Sequence, residues 1–161
     1  MTDRGQTQQD FAVGISVFLL AVFFVFAFVP TTIAPTDANT ESESYVADRV
    51  GSSVVENVTT PAEAGRLDVD AAETFFSTHG SGAAVRANYS VAETTAVNVT
   101  LETLSGVTVA VDANATPPAA GPGVGGTLAR AGDHYPGGVG VSATRVVRLD
   151  DRRYRLVVRV W

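Results

Sequence analysis

Side chains able to do acid-base work are few and scattered. The only histidines are His79 and His134, each in a Gly-rich or polar turn with neither a nucleophile nor metal-ligand spacing around it. In Asp133-His134-Tyr135 an imidazole has a carboxylate and a phenol as neighbours, but a lone loop histidine of this kind reads as solvated surface. Asp68-Val-Asp70-Ala-Ala-Glu73 brings three carboxylates close together, which suggests a cation such as calcium. The same spacing makes a capping box, with Asp70 as N-cap and Glu73 three residues on, and that reading is preferred. There is no cysteine, which removes thiolate chemistry, zinc-thiolate sites and disulfides. Gly121-Pro-Gly-Val-Gly-Gly126 lacks the Lys-Ser/Thr ending of a phosphate-cradling loop. The expectation is no enzyme, no cofactor and no metal. The candidates that remain are groups on the chain itself: the small residue Gly5 with Gln6, the carboxylate of Asp10, and four Asn-X-Ser/Thr sequons headed by Asn57, Asn88, Asn98 and Asn114.

What positions the first two of these is the apolar run behind them. Arg4-Gly5-Gln6-Thr7-Gln8-Gln9-Asp10 leads directly into Phe11 to Val29, which holds no charge. At ~1.5 Å per residue that run covers about 28 Å, close to a ~30 Å hydrocarbon core. The sequence therefore predicts a transmembrane helix or its filament-core equivalent, ended by Pro30. A secretory signal peptide places its cleavage site after a shorter apolar region, whereas here the small residue and the polar hexad come first.

This order resembles the class III signal peptide of archaeal type IV pilin-like proteins. The resemblance implies that a prepilin peptidase cuts between Gly5 and Gln6 and that the helix is retained. It also implies a role for Asp10, which stands fifth when counting from Gln6. There the family usually carries a glutamate that meets the new N-terminal ammonium of a neighbouring subunit, and this chain has the shorter aspartate. A charge in hydrocarbon costs roughly 2.5 to 3.5 kcal/mol, so such a carboxylate needs a partner. The resemblance is specific over residues 4 to 29 and architectural beyond.

Net charge is -6, and every one of the 11 basic residues is arginine. Acidic bias without lysine is the composition of a protein working in very high salt, which points to a halophilic archaeon and argues against nucleic acid as a partner. Arg4 precedes the apolar run, while Asp37, Glu41, Glu43 and Asp48 face a single Arg49 after it. This places the N-terminus inside and the rest outside the cell membrane. Four of the five asparagines head sequons, more than a Thr-rich chain gives by accident, which favours a glycosylated, extracellular domain.

Periodicity supplies the rest. Residues 31–40 read as a Pro/Thr-rich linker, and Glu41 to Val58 as an amphipathic helix with Tyr45, Val46, Arg49, Val50, Ser53, Val54 and Val58 near one face, closed by Pro61. A short helix follows from Asp70 to before Gly80, with Phe75 and Phe76 buried. Alternation then predicts half-buried strands over 85–91, 97–102 and 107–111, with Asn88 and Asn98 on their polar phases. Residues 115–140 read as loop. Val141 to Leu149 and Tyr154 to Trp161 read as a hairpin around Asp150-Asp-Arg-Arg153. Six arginines fall between Arg145 and Arg159, an asymmetry that could align acidic and basic faces of neighbouring subunits but is read first as cross-strand pairing.

The predicted architecture is α+β and pilin-like: a leader at 1–5, a transmembrane or filament-core helix at 6–30, a linker at 31–40, and an extracytoplasmic domain at 41–161 that packs an amphipathic helix on an antiparallel sheet of about five strands. Its partners would be the membrane, the prepilin peptidase and other pilin-like subunits. The alternative is a monomeric membrane-anchored surface glycoprotein.

Overall fold

The computed structural model describes residues 3–32, 38–60, 63, 65–138 and 140–161, with backbone alone at 3–9, 26–32 and 38–39. The chain divides into two compact units, Met1–Asp37 and Ala38–Trp161.

The first unit holds one helix, α1 (Asp3–Thr32). It starts inside the polar leader and runs on through Pro30, whose missing N–H falls in the final turn, where one lost bond does not stop the last residues. The expected transmembrane helix is not borne out: among the described residues, no helix is long and apolar enough to cross a membrane. The helix opens on polar residues up to Asp10.

The second unit is α+β. Its helices are α2 (Ala38–Val58), α3 (Val69–Thr78) and α4 (Gly82–Tyr89), followed by β1 (Val97–Glu102), β2 (Ala110–Asp112), β3 (Ala119–Gly121), β4 (Thr127–Leu128), β5 (Arg130–Gly132), β6 (Val141–Leu149) and β7 (Arg152–Val160). Two antiparallel sheets form, ordered β5-β1-β7-β6 and β3-β2-β4, where one sheet was expected. They are joined at Ala129, whose N–H donates to Val109 O while its carbonyl accepts from Leu101 N.

α2 packs on β6 and β7. It starts earlier than the predicted Glu41; residues 33–37 and Pro61, read as linker and helix stop, lie outside the described residues. Its buried stripe is Ala47, Val50, Gly51, Val54 and Val58, at helical spacing, and Tyr45, expected on that face, is exposed. Facing it are Leu156, Val158 and Val160 of β7. Each such side chain contributes about 1.5 to 3 kcal/mol when taken fully from water. Gly51 keeps the helix close: a Cβ there would stand 3.2 Å from Arg145 Nε and 3.4 Å from Val158 Cγ2.

Several local readings are corrected. α3 is capped by Asp68, which accepts from Ala71 N. Glu73 leaves the cap and instead accepts from Ala113 N and Thr127 Oγ1, tying α3 to the three-stranded sheet. The strand read over 85–91 is replaced by a helix at 82–89: Ser81 caps it, and Gly82, Val85 and Tyr89 are buried at three and four spacing. The loop at 115–140 contains three short strands, β3 to β5, each held by pairing with β1 or β2. The hairpin turn is two residues long, with Asp150 and Asp151 at φ 46° and 58°, so Arg152 and Arg153 belong to β7.

Candidate functional site

Two surfaces stand out, and the more demanding is α1. Along it Phe11 (71% exposed), Phe18, Leu20, Phe23 (75%) and Val25 are open to solvent, and the apolar residues are not gathered on one side. Ser16, the one polar side chain between Phe11 and Val25, donates to Ala12 O and is satisfied within the helix. A helix apolar all round, with its own polar group internally bonded, is built to be covered by other apolar elements. Asp10 is exposed at the polar end of this stretch. Gly5 and Gln6 lie in the first turns of the same helix, but their side-chain surroundings are outside the described residues.

The second surface is the outer face of the four-stranded sheet. Alternation puts Asn98, Thr100 and Glu102 of β1 on it with Arg153, Arg155, Val157 and Arg159 of β7 and Ser142, Thr144, Val146 and Arg148 of β6. At its centre Glu102 is buried and accepts from Arg159 Nη2 at 2.6 Å, Arg155 Nη2 at 3.4 Å and Thr100 Oγ1 at 2.8 Å. Arg159 also donates to Thr100 Oγ1. Register sets Arg159 opposite Asn98, so reaching Glu102 carries its stem across Val157, which is buried accordingly. Tyr135 lies under the Arg159 guanidinium, 5.2 Å from its centroid, and against Trp161. The arginine concentration thus resolves in part as cross-strand pairing, and in part as contact with α2, where Arg145 Nη2 reaches Asp48 and Ser52.

The sequence-predicted residues are dispersed. Asn57, Asn88 and Asn114 are exposed, Asn88 on α4 and no longer on a strand. Asn98 is corrected: it is buried, and its Nδ2 donates to Asp133 O, because the segment after β5 folds back over the polar phase of β1. Asp133, His134 and Tyr135 do not act together. Asp133 turns inward to accept from Arg86 Nη1 and Val97 N, while His134 is exposed. His79 is the C-cap of α3, its Nδ1 beside Phe75 O and its ring stacked on Phe75. Among the described residues, no group of His, Asp or Glu side chains could hold a metal ion.

A family model described as Family of unknown function (DUF7287) matches residues 2–161. The chain belongs to the DUF7287 family. No curated protein and no solved structure matches it. The DUF7287 match runs through α1 as well as the sheets, so the exposed helix and the clamped face are parts of one family unit. The Glu102 clamp is what sequence reasoning missed in this DUF7287 chain, although its signal was present: a lone glutamate ending the polar phase of β1, and Arg155 and Arg159 four apart on β7.

Proposed function

We propose that this chain is a pilin-like subunit, or minor component, of an archaeal cell-surface filament of the type IV pilus class. The observation that carries the reading is α1, apolar and exposed on all sides from Phe11 to Val25 with a carboxylate at its polar end. Packed among the α1 helices of other subunits, those side chains leave water, and Asp10 meets the ammonium of a neighbour's Gln6. A prepilin peptidase would create that ammonium by cutting after Gly5. The unit Ala38–Trp161 would then stand at the cell surface.

N-terminal sequencing of the protein purified from its own cells tests processing. The expected mature chain begins at Gln6, and Gly5→Leu is expected to leave the leader in place. A mature chain starting at Thr2 or Pro35 would remove the reading.

Glycosylation at the surface would fall on Asn57, Asn88 and Asn114. Glycopeptide mass spectrometry of the native protein is expected to find glycan on at least one of these three. Asn98 is expected to be bare, since it is 1% exposed and bonded. Glycan at Asn98 would contradict the fold around β1.

A further inference from the structure

The arginine face has charge to spare. Arg148 and Arg153 sit directly opposite each other across the hairpin, a like-charge cross-strand pair of the kind that destabilises an isolated sheet. Arg148 Nη2 is 3.4 Å from Asp151, an exposed pair worth little. Among the described residues, Arg153 has no hydrogen-bond or ion-pair partner. Beside them Val146, opposite Arg155, is 64% exposed, an apolar knob in a rim of guanidinium groups.

Elsewhere on the same unit is a surface of matching character. A groove of about 580 Å³ runs along the C-terminal half of α2, lined by Val55, Glu56 and Thr59 among others. Val55 offers it an apolar wall, and Glu56 is exposed. Arg145 also borders it, but its guanidinium is engaged by Asp48 and Ser52 of α2. α2 as a whole carries Glu41, Glu43, Asp48 and Glu56 against Arg49 alone.

We propose that these two surfaces are partners between copies: Val146 of one subunit seats in the α2 groove of the next, and Arg148 and Arg153 close on Glu56. This rests on the assembly reading and adds to it the contact made outside α1. Arg and carboxylate pair bidentately at short range, so the contact survives high salt, where exposed charges more than ~3 Å apart at about 1 M are screened. Knob and groove are different patches, so the contact is heterologous and can repeat along an open filament.

Absence of lysine gives a clean test. Arg153→Lys introduces the sole side-chain amine into the full chain and keeps the charge. A zero-length carbodiimide then joins that amine only to a carboxylate in contact with it. Assemblies made from mixed ¹⁵N-labelled and unlabelled copies are coupled and digested, and the joined peptides are read by mass spectrometry. The expected product is a mixed-isotope pair linking position 153 to Glu56, lost in Glu56→Gln while multi-subunit species persist through α1. Coupling only within one chain, to Asp150 or Asp151, or to no carboxylate at all, would overturn the proposal. That outcome would leave the processed, helix-assembled subunit standing, because cleavage after Gly5 and multi-subunit size are measured separately.

Discussion

Gly132→Ala is expected to destabilise the unit Ala38–Trp161 by about 3 kcal/mol or more, seen as a fall of roughly 10 °C or more in the melting midpoint by far-UV circular dichroism. Gly132 ends β5 with φ +90°, where a side chain is strained, and a Cβ there would fall on the carbonyl oxygen of Val97 and crowd Asn98 Cα. That backbone belongs to the buried strand β1, so it cannot give way without disturbing Val97, Val99 and Leu101 in the core. Gly123→Ala is the control. Its φ is +77° but a Cβ would meet nothing within 4 Å, so only the conformational cost of about 1 to 2 kcal/mol applies. Equal losses at the two positions would show that β5 does not lie against β1 as described.

Glu102→Ala is expected to cost about 2 to 3 kcal/mol. Breaking a fully buried ion pair by removing one partner costs roughly 3 to 5 kcal/mol, but Arg159 and Arg155 keep 22% and 36% of their side chains exposed and can partly rehydrate. The loss is more than a missing contact: two guanidinium groups packed flat on the outer sheet face would repel each other with no anion between them. Glu102→Met combined with Arg159→Met is expected to be less harmful than Glu102→Ala alone, since it removes the carboxylate together with its closer and less exposed arginine, leaves only the more exposed Arg155, and restores apolar cover over Val157. Urea unfolding measures both. A loss below 1 kcal/mol for Glu102→Ala, the value of an exposed pair, would contradict the clamp.

Some of this was legible from the residues and some was not, for reasons that differ by segment. α2 and the C-terminal hairpin could be read because their patterns are long: buried residues of α2 recur at three and four, and Tyr154, Leu156, Val158 and Val160 alternate without interruption. At 82–89 two periods compete. Val85, Ala87, Tyr89 and Val91 alternate like a strand, while Gly82, Val85 and Tyr89 also fit a helix, and over so few residues the cap at Ser81 and the alanines decide it. Strands β3 to β5 have only two or three residues each and no period of their own, so only their partners define them.

The surroundings of Asn98 and Glu73 were hidden in a related way. Alternation assigned Asn98 to the polar phase of β1 correctly but could not tell that the segment carrying Asp133 would cover that phase. Glu73 has the spacing of a cap partner, yet the sheet beside α3 offers its carboxylate the N–H of Ala113, a contact between residues 40 apart that no local pattern records. The apolar run was plain in the sequence. What it could not say was where the helix around that run begins and ends, and the helix that forms starts in the polar leader and continues through Pro30.

The central claim is that α1 is buried by other copies. Velocity sedimentation of the processed full chain, purified without denaturation from its own cells, tests this most directly, with wild type and Asp10→Ala compared side by side. The account predicts defined multi-subunit species for wild type, and a shift of Asp10→Ala toward the monomer with cleavage after Gly5 intact. Wild type sedimenting as a monomer, or Asp10→Ala assembling as well as wild type does, would contradict it.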